Sequence, residues 1–230
     1  MMTTTQQADV LFSHLISVEE HIVYGDKQFY MSLLWQHENV KSGPLSSAQM
    51  MYLERMYNKY SMEEIKKKEE FAQNYSDDHR QVALKCAQYY AGQYVNGPFY
   101  YDRIVEKVLK DPEGHTLSYN EYNKMCNNKY AKKILACYKE QAKYQVGDFV
   151  QIRATNRVDI ANTNQKEGHM PRRSICSKMA NKFCMVLEVN AKPITRAAKG
   201  ARVYKVLITD EARPIFAHES DLKKARRIKK

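Results

Sequence analysis

Six of the last eight residues of this 230-residue chain are cations: Lys223, Lys224, Arg226, Arg227, Lys229 and Lys230. Lysine and arginine at such density neutralise phosphates and release condensed counterions, so an affinity built on them falls steeply as salt rises. Arg153, Arg157, Arg172, Arg173, Lys178, Lys182 and Arg202 precede them and could extend the same basic face. Contacts of that kind hold a protein on a nucleic-acid backbone without reading its sequence. A basic C-terminus also occurs as a plain solvated tail, which is the competing reading. A second set of side chains could handle bases. Tyr90, Tyr94, Tyr100 and Tyr101, beside Tyr89, cluster around the turn Asn96-Gly97-Pro98, and aromatic rings are stacking platforms for single strands. Tyrosines at helical spacing serve equally as half-buried packing.

Covalent and metal chemistry find less to work with. Cys86, Cys126, Cys137, Cys176 and Cys184 form no CxxC pair, and no nucleophile elbow, P-loop or GxGxxG is present. Cys176 and Cys184 with His169 lack the spacing of a zinc site. His218 falls in a segment expected to close a small β-domain. No catalytic residue, metal ligand or cofactor is assigned, and an enzyme is not expected.

The net charge of +11 is unevenly placed. Residues 1–143 hold 18 Lys and Arg against 18 Asp and Glu, whereas residues 144–230 hold 19 against 8. Fifteen of the 17 tyrosines lie before residue 144. That asymmetry suggests two modules, the second drawn to polyanions: nucleic acid first, an anionic membrane surface second. The length has room for two domains. No apolar run approaches the about 18–20 residues of a membrane span, and the start Met1-Met2-Thr3-Thr4 lacks the pattern of a signal peptide. Unpatterned cysteines suit a reducing compartment, so the expected location is cytoplasmic.

The elements that must position these side chains are helical first. Apolar residues at 11, 12, 15, 16, 18 and 22 fit a helix within 10–23, and Asp26 is a candidate N-cap for a helix over 27–39 that turns Phe29, Leu33 and Trp35 inward. Ser46 with Gln49, Ser61 with Glu64 and Ser118 with Glu121 read as capping boxes. Asp77 or Asp78 would cap a helix to about residue 94, and 118–143 should be one long helix. Leu45-Ser46 and Leu117-Ser118 head similar stretches about 70 residues apart. A degenerate duplicated helix–turn–helix unit and chance similarity of Tyr- and Lys-rich helices both account for this.

Beyond Tyr144 the pattern changes. Val146, Phe149 or Val150, and Ile152 are expected to point partly inward from a first strand, and 154–182 to form a long basic loop. Strands follow at 183–189 and 202–208, then a short last strand at 214–217 and a closing turn at 220–223. Tyr144, Gly147, Asp148 and Val150, then Phe183, Glu188, Val189, Tyr204 and Val206, then Pro214, His218, Ser220, Leu222 and Lys223 together resemble the SH3-like C-terminal domain of retroelement integrases. The same residues are similar to KOW-type barrels of transcription and ribosomal proteins. The resemblance covers some 80 residues and implies DNA binding with little sequence preference, without implying strand transfer. The helix–Gly turn–Leu-Ser-x-x-Gln unit resembles, more weakly, helical modules of phage and plasmid DNA-metabolism proteins.

The sequence therefore predicts an α+β protein. An all-helical domain over 1–143 is followed by a small SH3-like β-barrel over 144–222 and a basic tail over 223–230. The expected function is non-catalytic binding of nucleic-acid backbone, DNA before RNA, in a phage or mobile-element setting and hence the host cytoplasm. The helical half would supply a protein partner's contacts, and no membrane partner is expected. Two rivals stand beside it: an adaptor whose barrel grips an acidic protein partner, and an enzyme with a site in the helical half.

Overall fold

Side-chain capping marks where most of the described helices begin. The structure, a computed structural model, describes residues 3–39, 44–92, 101–154, 179–211 and 213–225. Contacts divide it into two units, Met1–Asn74 and Tyr75–Lys230.

In the first unit, α1 (Thr4–Ser17) starts at a capping box of Thr3 and Gln6, six residues before the expected start. Helix α2 (Tyr24–Glu38) begins after Val23 without a side-chain cap. Asp26 sits inside its first turn and instead accepts hydrogen bonds from Lys59 Nζ (2.5 Å) and Tyr60 Oη (2.7 Å). Helix α3 (Ser47–Lys59) carries the full Ser46–Gln49 box. Helix α4 (Met62–Gln73) carries half of the expected one: Ser61 Oγ accepts from the Glu64 N–H. Leu11, Phe12 and Leu15, Tyr30 and Leu33, Met50, Leu53 and Met56, and Ile65 bring the four helices to one core. Trp35 does not join it and is 65% exposed, as Phe29 is 41% exposed. Two residues beyond Leu33, the Trp35 side chain leaves the helix about 200° round from the buried stripe.

Among the described residues the second unit also opens with four helices. Helix α5 (Asp77–Ala91) starts at Ser76, whose N–H is accepted by His79 Nδ1 at 3.2 Å, rather than at Asp77 or Asp78. Helix α6 (Asp102–Lys110) follows, then α7 (Tyr119–Cys126) with its Ser118–Glu121 box and α8 (Lys129–Lys139). The long helix expected over 118–143 is broken at Asn127–Asn128. The Asn128 carboxamide accepts from the N–H groups of Tyr130 and Ala131 and starts a new helix there. Leu45 and Leu117, each just before a serine cap, are both buried. Tyr60 is buried but Tyr130 is 47% exposed.

The fold class is α+β. Strands β1 (Phe149–Ile152), β2 (Phe183–Val189), β3 (Val203–Ile208), β4 (Arg213–His218) and β5 (Leu222–Lys224) form one antiparallel sheet in the order β4-β3-β2-β1-β5. A 3-10 turn, Glu219–Asp221, precedes β5, so the chain closes on a fifth strand where only a turn was expected. Strands β4 and β5 are the two edges, and the sheet is open rather than closed on itself among the described residues. The register places Val150 opposite Cys184 and Ile152 opposite Leu222, with Cys184 opposite Ile208 and Val206 opposite Ile215. All of these pack inward with Tyr144, Tyr204 and Ala217. A bulge between Val186 and Glu188 interrupts the β2–β3 ladder, which increases the local bend and twist.

The unit boundary lies at 74/75, whereas the charge changes at 143/144. Ile194 and Ala201, on the chain between β2 and β3, are buried in the same cluster as residues of α5, α6, α7 and α8, and Ile194 donates its N–H to Tyr138 Oη at 3.0 Å. Helices α5–α8 therefore lack a complete core without the connection between β2 and β3. A fragment of residues 1–74 should unfold in one cooperative urea transition. Fragment 1–143 should show no second cooperative transition, and finding one would move the boundary to the charge step.

Candidate nucleic-acid interface

A turn of four residues opens the site. Gln145 donates its N–H to Asp148 Oδ2 (2.8 Å), and Asp148 donates its own to the Gln145 carbonyl (3.0 Å). Gly147 takes φ +91° in this turn, a region that costs a residue bearing a Cβ. Its N–H bonds the Val186 carbonyl at 2.8 Å and so pins the turn to β2. The turn delivers the chain into β1 with Val150 and Ile152 inward. By strict alternation Phe149 is turned to the opposite face, where it is 58% exposed; Val146 is 66% exposed. The expected inward Val146 is thus corrected, and of the pair Phe149 or Val150 it is Val150 that is buried.

Beside this turn lies a groove of about 550 Å³ lined by Lys143, Tyr144, Asp148, Phe149, Phe183 and Lys224. Hydrogen bonds tie two of its lining residues, Tyr144 and Lys143, to the fold. Tyr144 Oη donates to the Leu222 carbonyl (3.2 Å), Tyr204 Oη donates to Glu219 Oε2 (2.6 Å), and the Lys143 N–H donates to the same carboxylate oxygen (3.1 Å). Burial, together with the Glu219 carboxylate accepting its proton, pushes the Tyr204 phenol up to about 12. The Lys143 ammonium lies 5.5 Å from the Tyr144 ring centroid. Lys143 and Lys224 are exposed, and neither is in an ion pair among the described residues.

The other expected backbone contacts divide. Lys223 lies on the outer face of β5 and donates to Asn181 Oδ1 at 2.8 Å. Lys182 is paired with Glu211. Arg153 is half-buried and donates from Nε to the Leu222 carbonyl at 2.9 Å. Arg202 is the clear correction: it is 4% exposed, and its Nη2 donates to the carbonyls of Cys137 (2.6 Å) and Glu140 (2.5 Å) at the end of α8. The last carbonyls of a helix have no partner within it and form its negative pole, so a buried cation there serves the fold. Arg157, Arg172, Arg173, Lys178, Arg226, Arg227, Lys229 and Lys230 lie outside the described residues.

Of the tyrosines expected to stack on bases, Tyr90 is 8% exposed. Its Oη accepts from Asn128 Nδ2 at 2.7 Å, and its ring meets Tyr89 and Tyr101 edge-on at 5.0 and 5.2 Å. Tyr90 is core, and Tyr101 is half-buried against it. Tyr94 and Tyr100 lie outside the described residues. The exposed aromatics of this unit include Tyr130 and Phe149, the second of which the sequence offered, with Val150, as one of two candidates for the interior. Strict period-two alternation from Ile152 would have turned it outward.

Cys86, Cys126, Cys137 and Cys184 are buried. Burial pushes the Cys184 thiol up to about 12 and raises that of Cys137; the Cys86 thiol beside Cys126 and burial together raise Cys126. Thiols held protonated are poor nucleophiles. Among the described residues no group of three or more His, Cys, Asp or Glu side chains could hold a metal ion, and no helix is long and apolar enough to cross a membrane.

Arg202→Ala should lower the urea midpoint, at a cost of roughly 2–4 kcal/mol for two charge-assisted hydrogen bonds and the space left behind. The salt dependence of nucleic-acid binding should not change. An unchanged midpoint with a shallower salt slope would return Arg202 to the binding face.

No protein-family model, curated protein or solved structure matches this chain.

Proposed function

We propose that this chain is a non-catalytic nucleic-acid-binding accessory protein. It grips the phosphate backbone with little sequence preference, DNA before RNA, through an SH3-like module in its C-terminal third. The observation that carries this reading is a convergence of cations at one end of the sheet. Lys143 and Lys224 line one groove without ion pairs among the described residues, β5 runs into that groove at Ala225, and Arg226, Arg227, Lys229 and Lys230 follow directly in sequence. Cations in such density attract a polyanion and bind it by counterion release.

The SH3-like assignment is supported by the strand order, with a four-strand meander, a single 3-10 turn and a short last strand returning to β1. The bulge in β2 favours the curl that such a module needs. The likeness to integrase C-terminal and KOW-type domains belongs to the same reading, which places the protein in a phage or mobile element and in the host cytoplasm. The first unit offers a place for a protein partner: α2 exposes Tyr24, Met31 and Trp35, spaced seven and four residues apart along one side.

The test uses the full chain, since a cut at 143 would divide a shared core. Anisotropy titrations on DNA and RNA should show affinity falling at least tenfold between about 50 and 200 mM salt. Lys143→Ala with Lys224→Ala should reduce the slope of log affinity against log salt by about 2, one for each phosphate that is no longer neutralised. Removal of residues 226–230 should reduce it further. A wild-type chain that binds neither nucleic acid at low salt overturns the reading.

A further inference from the structure

We propose that the groove beside β1 and β5 holds an unstacked base of a single-stranded nucleic acid against the Phe149 ring, with neighbouring phosphates on Lys143 and Lys224. This rests on the reading of the chain as a nucleic-acid-binding protein and names the form of nucleic acid it takes.

The placement of Phe149 is unusual for its strand. In an antiparallel sheet with one face in the core, the residues of the other face are ordinarily polar. Phe149 lies on that other face, paired with Met185, and Phe183 lies on it diagonally, paired with Gln151. Diagonal neighbours on adjacent strands stand roughly 7–8 Å apart, within reach of aromatic side chains. Two phenyl rings therefore border one groove, one of them 58% exposed. Folding gains little from a ring left in water, so its apolar surface is available to a ligand. At about 550 Å³ the groove falls in the range of small-ligand clefts, about 300–1,000 Å³.

The charges on the groove choose the ligand's chemistry. Two lysines face a single acid, Asp148, whose Oδ2 is already accepting the Gln145 N–H. An exposed ring and two cations lining one groove match a nucleotide, which joins a flat base to charged phosphates. They do not match a duplex, whose base faces are covered by their neighbours in the stack. Stacking on an aromatic side chain needs a bare face, which single strands supply. The lysine cations alone would treat both forms alike, so the ring is what separates them.

The experiment compares the full chain with Phe149→Ala and Phe149→Trp. The probes are a labelled oligothymidylate of about twelve nucleotides, within the site size of small single-strand modules, and a duplex of equal length. Oligoglutamate serves as competitor. Because Phe149 is outside the core, the variants should keep the wild-type circular dichroism and urea midpoint. The wild type should prefer the single strand. Phe149→Ala should reduce the ratio of single-strand to duplex affinity by about 5- to 150-fold, the range of one missing stack, with the salt slope unchanged. Phe149→Trp should restore the ratio. A ratio unaltered by Phe149→Ala, with steep salt dependence retained, overturns the base pocket and leaves backbone binding standing. Failure of the wild type to bind either probe overturns both. Displacement by oligoglutamate that itself weakens in Phe149→Ala assigns the groove to an acidic peptide and overturns the proposal.

Discussion

The second unit depends on one buried guanidinium. Arg202 stands just before β3 and donates to the Cys137 and Glu140 carbonyls that end α8. A helix end needs its carbonyls satisfied, and a buried cation needs acceptors and a compensating field; the α8 carbonyls serve Nη2, while the buried Nε has no partner among the described residues. The next links follow from it. The Glu219 N–H donates to the Arg202 carbonyl at 2.8 Å, and the Glu219 carboxylate accepts from Tyr204 Oη and from the Lys143 N–H. The chain leaving α8 is thereby held from both sides for the few residues before the turn at Gly147. Lys143 is presented at the groove because its own backbone is tied down, although its side chain is exposed.

From that fixed entry, the period of two does the rest. With Val150 and Ile152 committed to the core, Phe149 and Gln151 have no choice of face, and a slip of one residue would reverse every side chain of β1. The neighbouring strands obey the same rule, which sets Phe183 and Met185 beside Phe149 and Lys223 beside Gln151. The exposure of Phe149 is thus a product of core register, while Lys224, paired with Val150, borders the groove from the end of β5. The cations that face inward or sideways are consumed by the fold: Arg202 by α8, Arg153 by the Leu222 carbonyl, Lys182 by Glu211. Lys143 and Lys224 are among those left exposed, at a turn and at a strand end.

Features decided by near neighbours in sequence were legible. The capping boxes at Ser46 and Ser118 needed only residues three apart, and β2 and β3 were plain from their alternation. The α+β class followed from the change of period near residue 144. Features decided by distant partners were not. Arg202 has the same formal charge as Lys224, and nothing local distinguishes a cation that will meet a helix end from one that will meet water. Tyr90 looked like a stacking platform until Asn128, 38 residues away, took its hydroxyl. Asp26 looked like a cap, but Lys59 and Tyr60 from α3 and its end compete for it. The break at Asn127–Asn128 was local and still missed, because the apolar spacing runs on through it and only the asparagine's capping capacity marks it.

The mismatch between charge and core has a physical consequence. The charge step falls at 143/144, but the hydrophobic core that includes Ile194 and Ala201 joins α5–α8 to the connection between β2 and β3. The helices of the second unit, in a stretch (75–143) that holds 11 Lys and Arg against 8 Asp and Glu, therefore belong to the same unit as the sheet. Binding energy gained at the sheet stabilises a body larger than the sheet itself, because a ligand that binds only the folded form stabilises whatever unfolds together with it. On the proposed reading, nucleic acid should raise the unfolding free energy of α5–α8 along with that of the strands. The first unit has its own core of α1–α4, and its stability is set by that core. Tertiary contact, and not the composition of either half, decides which parts of this chain share the energy of its ligand.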